Sequence, residues 1–161
     1  MGKYIFNSTW ILAVAVMVCA LSGCSDDSDE SPQGTTSSNT VCTKWGASKS
    51  EVMDYMKDYE MNAMENDGFI CYDGKNEAQT ISYQFQDDGL QASLLLIPEE
   101  NTSLEELKSS FGRYEYLGEK NGLDIYVSEA ANTMVTIGKK TKGDDTYFAV
   151  GYVVLDDENE Y

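Results

Sequence analysis

The sequence predicts an α+β domain over residues 41–161: two layers, an antiparallel sheet with two helices on one face. Three observations lead there. Ser48-Lys49-Ser50-Glu51 and Ser103-Leu104-Glu105-Glu106 are both capping boxes, in which the serine hydroxyl takes a backbone N–H three residues on and the glutamate reaches back to the serine N–H. Each box is followed by an apolar stripe at helical spacing and then by strand-like segments. Asp88-Gly89 and Lys142-Gly143-Asp144-Asp145 stand between apolar segments as hairpin turns do. Since the boxes lie 55 positions apart, the domain is consistent with a duplicated helix-plus-strands unit.

The first helix is expected from Lys49 to Met64, with Val52, Met56 and Tyr59 on one face, and is expected to stop before Asn66-Asp67-Gly68. Phe69–Tyr72 and Ile81–Phe85 follow as strands, with 81, 83 and 85 alternating as a half-buried strand requires. Asp88-Gly89 then turns the chain into Leu90–Ile97, and Pro98 ends that hairpin. Leu104, Leu107 and Phe111 supply the stripe of a short second helix. Tyr114–Leu117, Leu123–Val127, Met134–Ile137 and Tyr147–Val154 read as four further strands, punctuated by Gly118, Asn121-Gly122, Asn132 and the Lys142–Asp145 turn. On a sheet with helices on one side, alternation places polar residues on the other.

Residues 1–40 belong to no such pattern. An apolar run from Trp10 to Leu21 follows a short segment containing Lys3 and ends in Leu21-Ser22-Gly23-Cys24. Twelve apolar residues suit a signal-peptide core. They are too few to span a bilayer, which takes about 20. The last four residues resemble a bacterial lipobox, and the resemblance implies cleavage before Cys24 with a diacylglycerol and an N-acyl chain on that cysteine. Residues 1–23 would then be a lipoprotein signal peptide. Each buried CH₂ contributes about 0.8 kcal/mol, so several long chains anchor firmly where one holds marginally. An uncleaved anchor helix starting near Tyr4 is the other reading of the same run.

Ser25, Asp26, Asp27, Asp29 and Glu30 follow the cysteine directly. This cluster resembles the export signal of small Bacteroidota surface lipoproteins, which implies display on the outside of the outer membrane; a periplasm-facing lipoprotein is the alternative. Ser31 to Thr40 has nothing apolar to bury, so 24–40 is expected to be a disordered acidic and Ser/Thr tether with a reach of roughly 20–25 Å.

Charge and composition narrow the function. The chain has 28 acidic and 11 basic residues. Loss of residues 1–23 would remove only Lys3 and leave 28 against 10, a net of −18. Nucleic acid and anionic lipid surfaces are therefore not expected partners; the membrane contact is through the anchor alone. There is no histidine, which removes the commonest general base, the commonest metal ligand and every imidazole triad. No catalytic residue, metal site or cofactor is assigned.

Cys42 and Cys71 are the remaining thiols of an exported domain, and an even pair suggests a disulfide; two buried reduced cysteines would serve as small hydrophobes instead. Met53, Met56, Met61 and Met64 read as adaptable core rather than as soft-metal ligands. Eleven tyrosines with Trp45 offer aromatic surface for a glycan, against the simpler role of cross-strand packing. Asp73–Glu77 and Asp87-Asp88-Gly89 lack calcium-loop spacing and read as turns.

Trp45-Gly46-Ala47-Ser48-Lys49-Ser50-Glu51-Val52 resembles the opening of small Bacteroidota lipoproteins, in which a Trp-Gly and a capped helix precede a Tyr-rich sheet. The helix-then-hairpin order is loosely similar to SmpA/OmlA envelope lipoproteins and to the β-lactamase-inhibitor-protein-like fold, though with one helix per unit where those have two. The resemblance implies a non-catalytic, acyl-anchored module that binds other envelope or extracellular proteins. A structural envelope-assembly lipoprotein facing the periplasm and a glycan-binding surface protein are the alternatives.

Overall fold

The computed structural model describes residues 41–65, 68–75 and 80–155. Its elements are α1 (Lys49–Tyr55), β1 (Met61–Glu65), β2 (Phe69–Asp73), β3 (Thr80–Gln86), β4 (Gly89–Pro98), a 3-10 turn (Glu99–Asn101), α2 (Leu104–Ser110), β5 (Glu115–Lys120), β6 (Leu123–Ser128), β7 (Thr133–Lys142) and β8 (Asp145–Val154). All eight strands form one antiparallel sheet in the order β1-β2-β3-β4-β8-β7-β6-β5. The order amounts to two four-stranded meanders joined along β4 and β8, each meander preceded by one short helix.

The α+β expectation is overturned by this architecture, which is largely β. Each described helix has only seven residues, whereas β4, β7 and β8 have ten each. Both capping boxes form, but each helix ends at a buried apolar residue, Met56 or Phe111. Tyr59 N–H then donates to Met56 C=O and Tyr114 N–H to Phe111 C=O, both at 2.8 Å, so the same tight turn closes each helix.

The first helix therefore stops at Tyr55 rather than Met64, and 61–65 becomes the edge strand β1, paired with β2. The charges explain part of this. The last turn of α1 contains Asp54 and no basic residue, and Asp58 and Glu60 follow, an unfavourable set for the negative end of a longer helix dipole. The Asn66-Asp67-Gly68 sequence that reads as a helix stop has equally the chemistry of a hairpin connection. As a result the four methionines do not share a face: Met56 is fully buried, Met53 is exposed and Met61 lies on β1.

One sheet face carries the main core. Ile70 and Tyr72, Ile81, Tyr83 and Phe85, Leu95 and Ile97, Phe148, Val150 and Tyr152, and Val135 and Ile137 pack with Val52 and Met56 of α1 and with Leu107 and Phe111 around α2. Contrary to the expected alternation, the other face is apolar too. Register places Leu94 beside Ser82 and Gly151, and Leu96 beside Thr80 and Ala149; Met134 lies between Val127 and Val153. These side chains form two further clusters, Ala92, Ile125, Val127, Met134 and Val153 in one, Leu94, Leu96 and Ala149 in the other. Strands with apolar side chains on both faces are written in near-continuous apolar runs, as Leu94-Leu95-Leu96-Ile97 and Phe148–Val154 are.

Candidate functional site

The segment that leads into α1 is held by the sheet. Tyr83, fully buried on β3, accepts a hydrogen bond from Cys42 N–H at 3.2 Å and donates to Met56 Sδ at 3.1 Å. Ser93 Oγ on β4 donates to Cys42 C=O at 2.8 Å. Gly46 N–H donates to Leu90 C=O, and Leu90 N–H to Ala47 C=O, both at 2.9 Å. That pairing requires close approach: a Cβ on Gly89 would stand 3.1 Å from Gly46 Cα. Gly46 itself has φ +76, a backbone region that side chains disfavour. Farther along the sheet, Trp45 Nε1–H donates to Thr133 Oγ1 at 2.9 Å.

Between this strap and α1 lies an open groove of about 760 Å³, lined by Val41, Cys42, Thr43, Lys44, Ala47, Ser50, Glu51, Asp54 and Tyr55. Its size falls in the range of ligand pockets. Val41, Cys42 and Ala47 give it a buried apolar side, and Tyr55, about half exposed, gives it an aromatic one. Lys44 Nζ lies 2.5 Å from Glu51 Oε1 in an exposed ion pair. The Lys44 hydrogen bond, reinforced by the Ser48 N–H and hydroxyl, lowers the Glu51 carboxyl to about 2. Both Glu51 oxygens are thereby occupied, Oε1 by Lys44 and Oε2 by the Ser48 N–H and hydroxyl, so the carboxylate serves as the helix cap and is a weak proton acceptor at neutral pH. The groove thus sets an apolar and aromatic lining beside the mutually neutralised Lys44–Glu51 pair.

A second polar cluster is structural. Asp124, buried on β6, accepts from the Tyr116 hydroxyl at 2.8 Å and pairs with Lys108 of α2 at 2.8 Å. These hydrogen bonds hold both the Lys108 ammonium and the Tyr116 hydroxyl above their ordinary values. With both carboxylate oxygens occupied, the cluster clasps α2 to the β5–β6 hairpin.

Cys24, Ser25, Asp26, Asp27, Asp29 and Glu30 lie outside the described residues. Cys42 and Cys71 lie within them, both buried and not joined by a disulfide. Cys42 belongs to the helix-side core, whereas Cys71 alternates with Ile70 and Tyr72 and points to the opposite face, 3.8 Å from Ser82 Oγ. The suggested bridge is therefore not formed, because the sheet separates the two thiols. Of the described tyrosines, Tyr72, Tyr83, Tyr126 and Tyr152 are buried core residues and only Tyr55 and Tyr116 are exposed, which weighs against one broad aromatic platform. Among the described residues no group of three or more Cys, Asp or Glu side chains converges as a metal site would require. No described helix is long and apolar enough to cross a membrane.

Sequence reasoning missed both the groove and the second apolar face. The groove has no local signal, since it depends on β3 and β4 binding the strap. The second face was visible in the unbroken apolar runs of β4 and β8. Comparison with known proteins adds no relative: no family model, curated protein or solved structure matches this chain.

Proposed function

We propose that this chain is an acyl-anchored, non-catalytic binding lipoprotein displayed on the outer surface of the outer membrane. The observation that carries the proposal is Leu21-Ser22-Gly23-Cys24, closing a twelve-residue apolar run and followed at once by Asp26, Asp27, Asp29 and Glu30. Binding rather than turnover is supported by the absence of histidine and by the groove, whose Glu51 carboxylate is already committed to Lys44 and Ser48. The strongly acidic composition favours a partner that is neutral or cationic where it touches the domain.

Two measurements test this. Labelled fatty acid should enter the native chain and fail to enter Cys24→Ser. Protease added to intact cells should digest the native chain and spare one in which Asp26, Asp27, Asp29 and Glu30 are all Ala. Label in both chains removes the anchor. Protection of both until the outer membrane is broken removes surface display and leaves the periplasm-facing assembly role as the better reading.

A further inference from the structure

The groove beside α1 holds one carboxylate that the domain does not use. Its charged lining residues are Lys44, Glu51 and Asp54. Lys44 and Glu51 neutralise each other, and the second Glu51 oxygen is taken by Ser48. Asp54 is exposed, and its carboxylate has no partner among the described residues. It stands in the last turn of α1, where unpaired helix carbonyls form the negative end of the dipole and no basic residue offsets them. Lys57 follows the helix but is not part of the groove wall. Tyr55, next along the chain, lines the same groove with a half-exposed ring.

The second copy of the unit ends its helix differently. At the positions 55 further on, α2 has Ser109 and Ser110 where α1 has Asp54 and Tyr55. Both serine hydroxyls donate to carbonyls of their own helix, Ser109 Oγ to Glu106 and Ser110 Oγ to Leu107, each at 2.7 Å. Lys108 adds a positive charge to that last turn. The negative pole of α2 is thus satisfied from within the fold. That of α1 is left with an acid and an aromatic ring, beside an apolar wall of Val41, Cys42 and Ala47. Carboxylate, ring and apolar wall in one groove share a complement, a positive charge on an apolar stem. Lysine and arginine side chains are built so. An open groove also suits a segment of chain lying along it better than a small molecule, whose pockets enclose most of the ligand.

We propose that the α1 groove takes a lysine or arginine side chain of a partner polypeptide, its cation against Asp54 and the ring of Tyr55, its methylene stem against Val41 and Ala47. The acidity of the whole chain draws such a segment in, and Asp54 with Tyr55 fixes where it lies. This ligand class belongs to the binding role given above and rests on it, but not on the lipid anchor.

The test titrates the full chain, carrying Cys24→Ser so that it is neither processed nor acylated, with an end-capped peptide of alternating leucine and lysine. Amide resonances between Val41 and Tyr55 should shift on binding, and a leucine–glutamate peptide should leave them unmoved. Asp54→Asn should weaken binding about twofold to fivefold, and Tyr55→Leu about as much, the effect of one exposed ion pair or one cation–π contact. Glu100→Gln, which removes an exposed carboxylate outside the groove, should leave the affinity unchanged. Equal weakening by Asp54→Asn and Glu100→Gln would overturn the proposal, because attraction to net charge acts through either. Shifts centred elsewhere on the domain would overturn it too, as would butylammonium binding as tightly as the peptide, which would make the ligand a small amine. These readouts need neither cells nor membrane. Loss of anchoring or display would leave them standing, and their failure would leave anchoring and display untouched.

Discussion

Val52 and Leu107 occupy matching places in two copies of one structural unit, 55 positions apart. Each is the fully buried residue of a seven-residue helix, one turn after a serine cap at Ser48 or Ser103. The match extends to Met56 and Phe111 at the helix ends and to Tyr59 and Tyr114, which pack against the core after the same turn. Helices this short do not stand alone, so their stability comes from these contacts with the sheet.

Truncation of either residue should therefore cost what a core position costs. Leu107→Ala should lose about 2–5 kcal/mol and Val52→Ala about 1.5–3 kcal/mol, read from urea unfolding with an unchanged denaturant slope. Losses as small as those of surface substitutions would show that the helices do not anchor in the core.

The caps give a smaller and pH-dependent effect. Ser48→Ala and Ser103→Ala should each cost about 1 kcal/mol. Glu51, depressed to about 2 chiefly by Lys44, and Glu106, lowered by the Ser103 backbone N–H, both favour the folded state when ionised. Their contribution is present above the ordinary glutamate value near 4.3 and is lost as pH falls, for Glu51 down through about 2. Acid unfolding of Glu51→Gln should accordingly be less steep below about pH 4 than that of the native chain.

At the alkaline end the sign is reversed by burial. Desolvation raises the hydroxyls of Tyr83 and Tyr152 far above the ordinary tyrosine range. The unfolded chain ionises first, so stability should fall as pH rises beyond about 10, the ordinary value. Tyrosinate absorbance should then appear together with loss of the β-sheet circular dichroism signal. Ionisation of all the tyrosines before unfolding would contradict their burial.

Tyr72 and Tyr83 stack edge to face, with ring centroids 6.1 Å apart, but only one hydroxyl is satisfied. Among the described residues the Tyr72 hydroxyl is buried without a hydrogen-bond partner, whereas that of Tyr83 holds Cys42 and Met56. Tyr72→Phe should be neutral or stabilising, while Tyr83→Phe should cost about 1–3 kcal/mol by leaving Cys42 N–H unpaired. Equal effects in thermal unfolding would refute the difference.

Cys42 and Cys71 should both react with an alkylating reagent once the purified chain is unfolded without reductant. Mass spectrometry that found them linked would require a different strand placement, since the sheet now stands between them.

Local chemistry made several features legible in the sequence. Ser48–Glu51 and Ser103–Glu106 form capping boxes because the motif acts within one turn, and a tight turn does join β3 to β4, although it falls on Asp87-Asp88, both at positive φ, one residue before the Asp88-Gly89 expected. The apolar run before Cys24 and the acids after it are likewise read without a fold. Tertiary structure decided the rest. Residues 56–65 contain apolar positions that fit either a helix or a strand; pairing with β2 settled 61–65 as strand, and sequence period alone does not choose between them. The groove exists because Tyr83 and Ser93, distant in sequence, grip Cys42. The relation of Cys42 to Cys71 follows from sheet register, which sends neighbouring residues to opposite faces and is set by all the strands together.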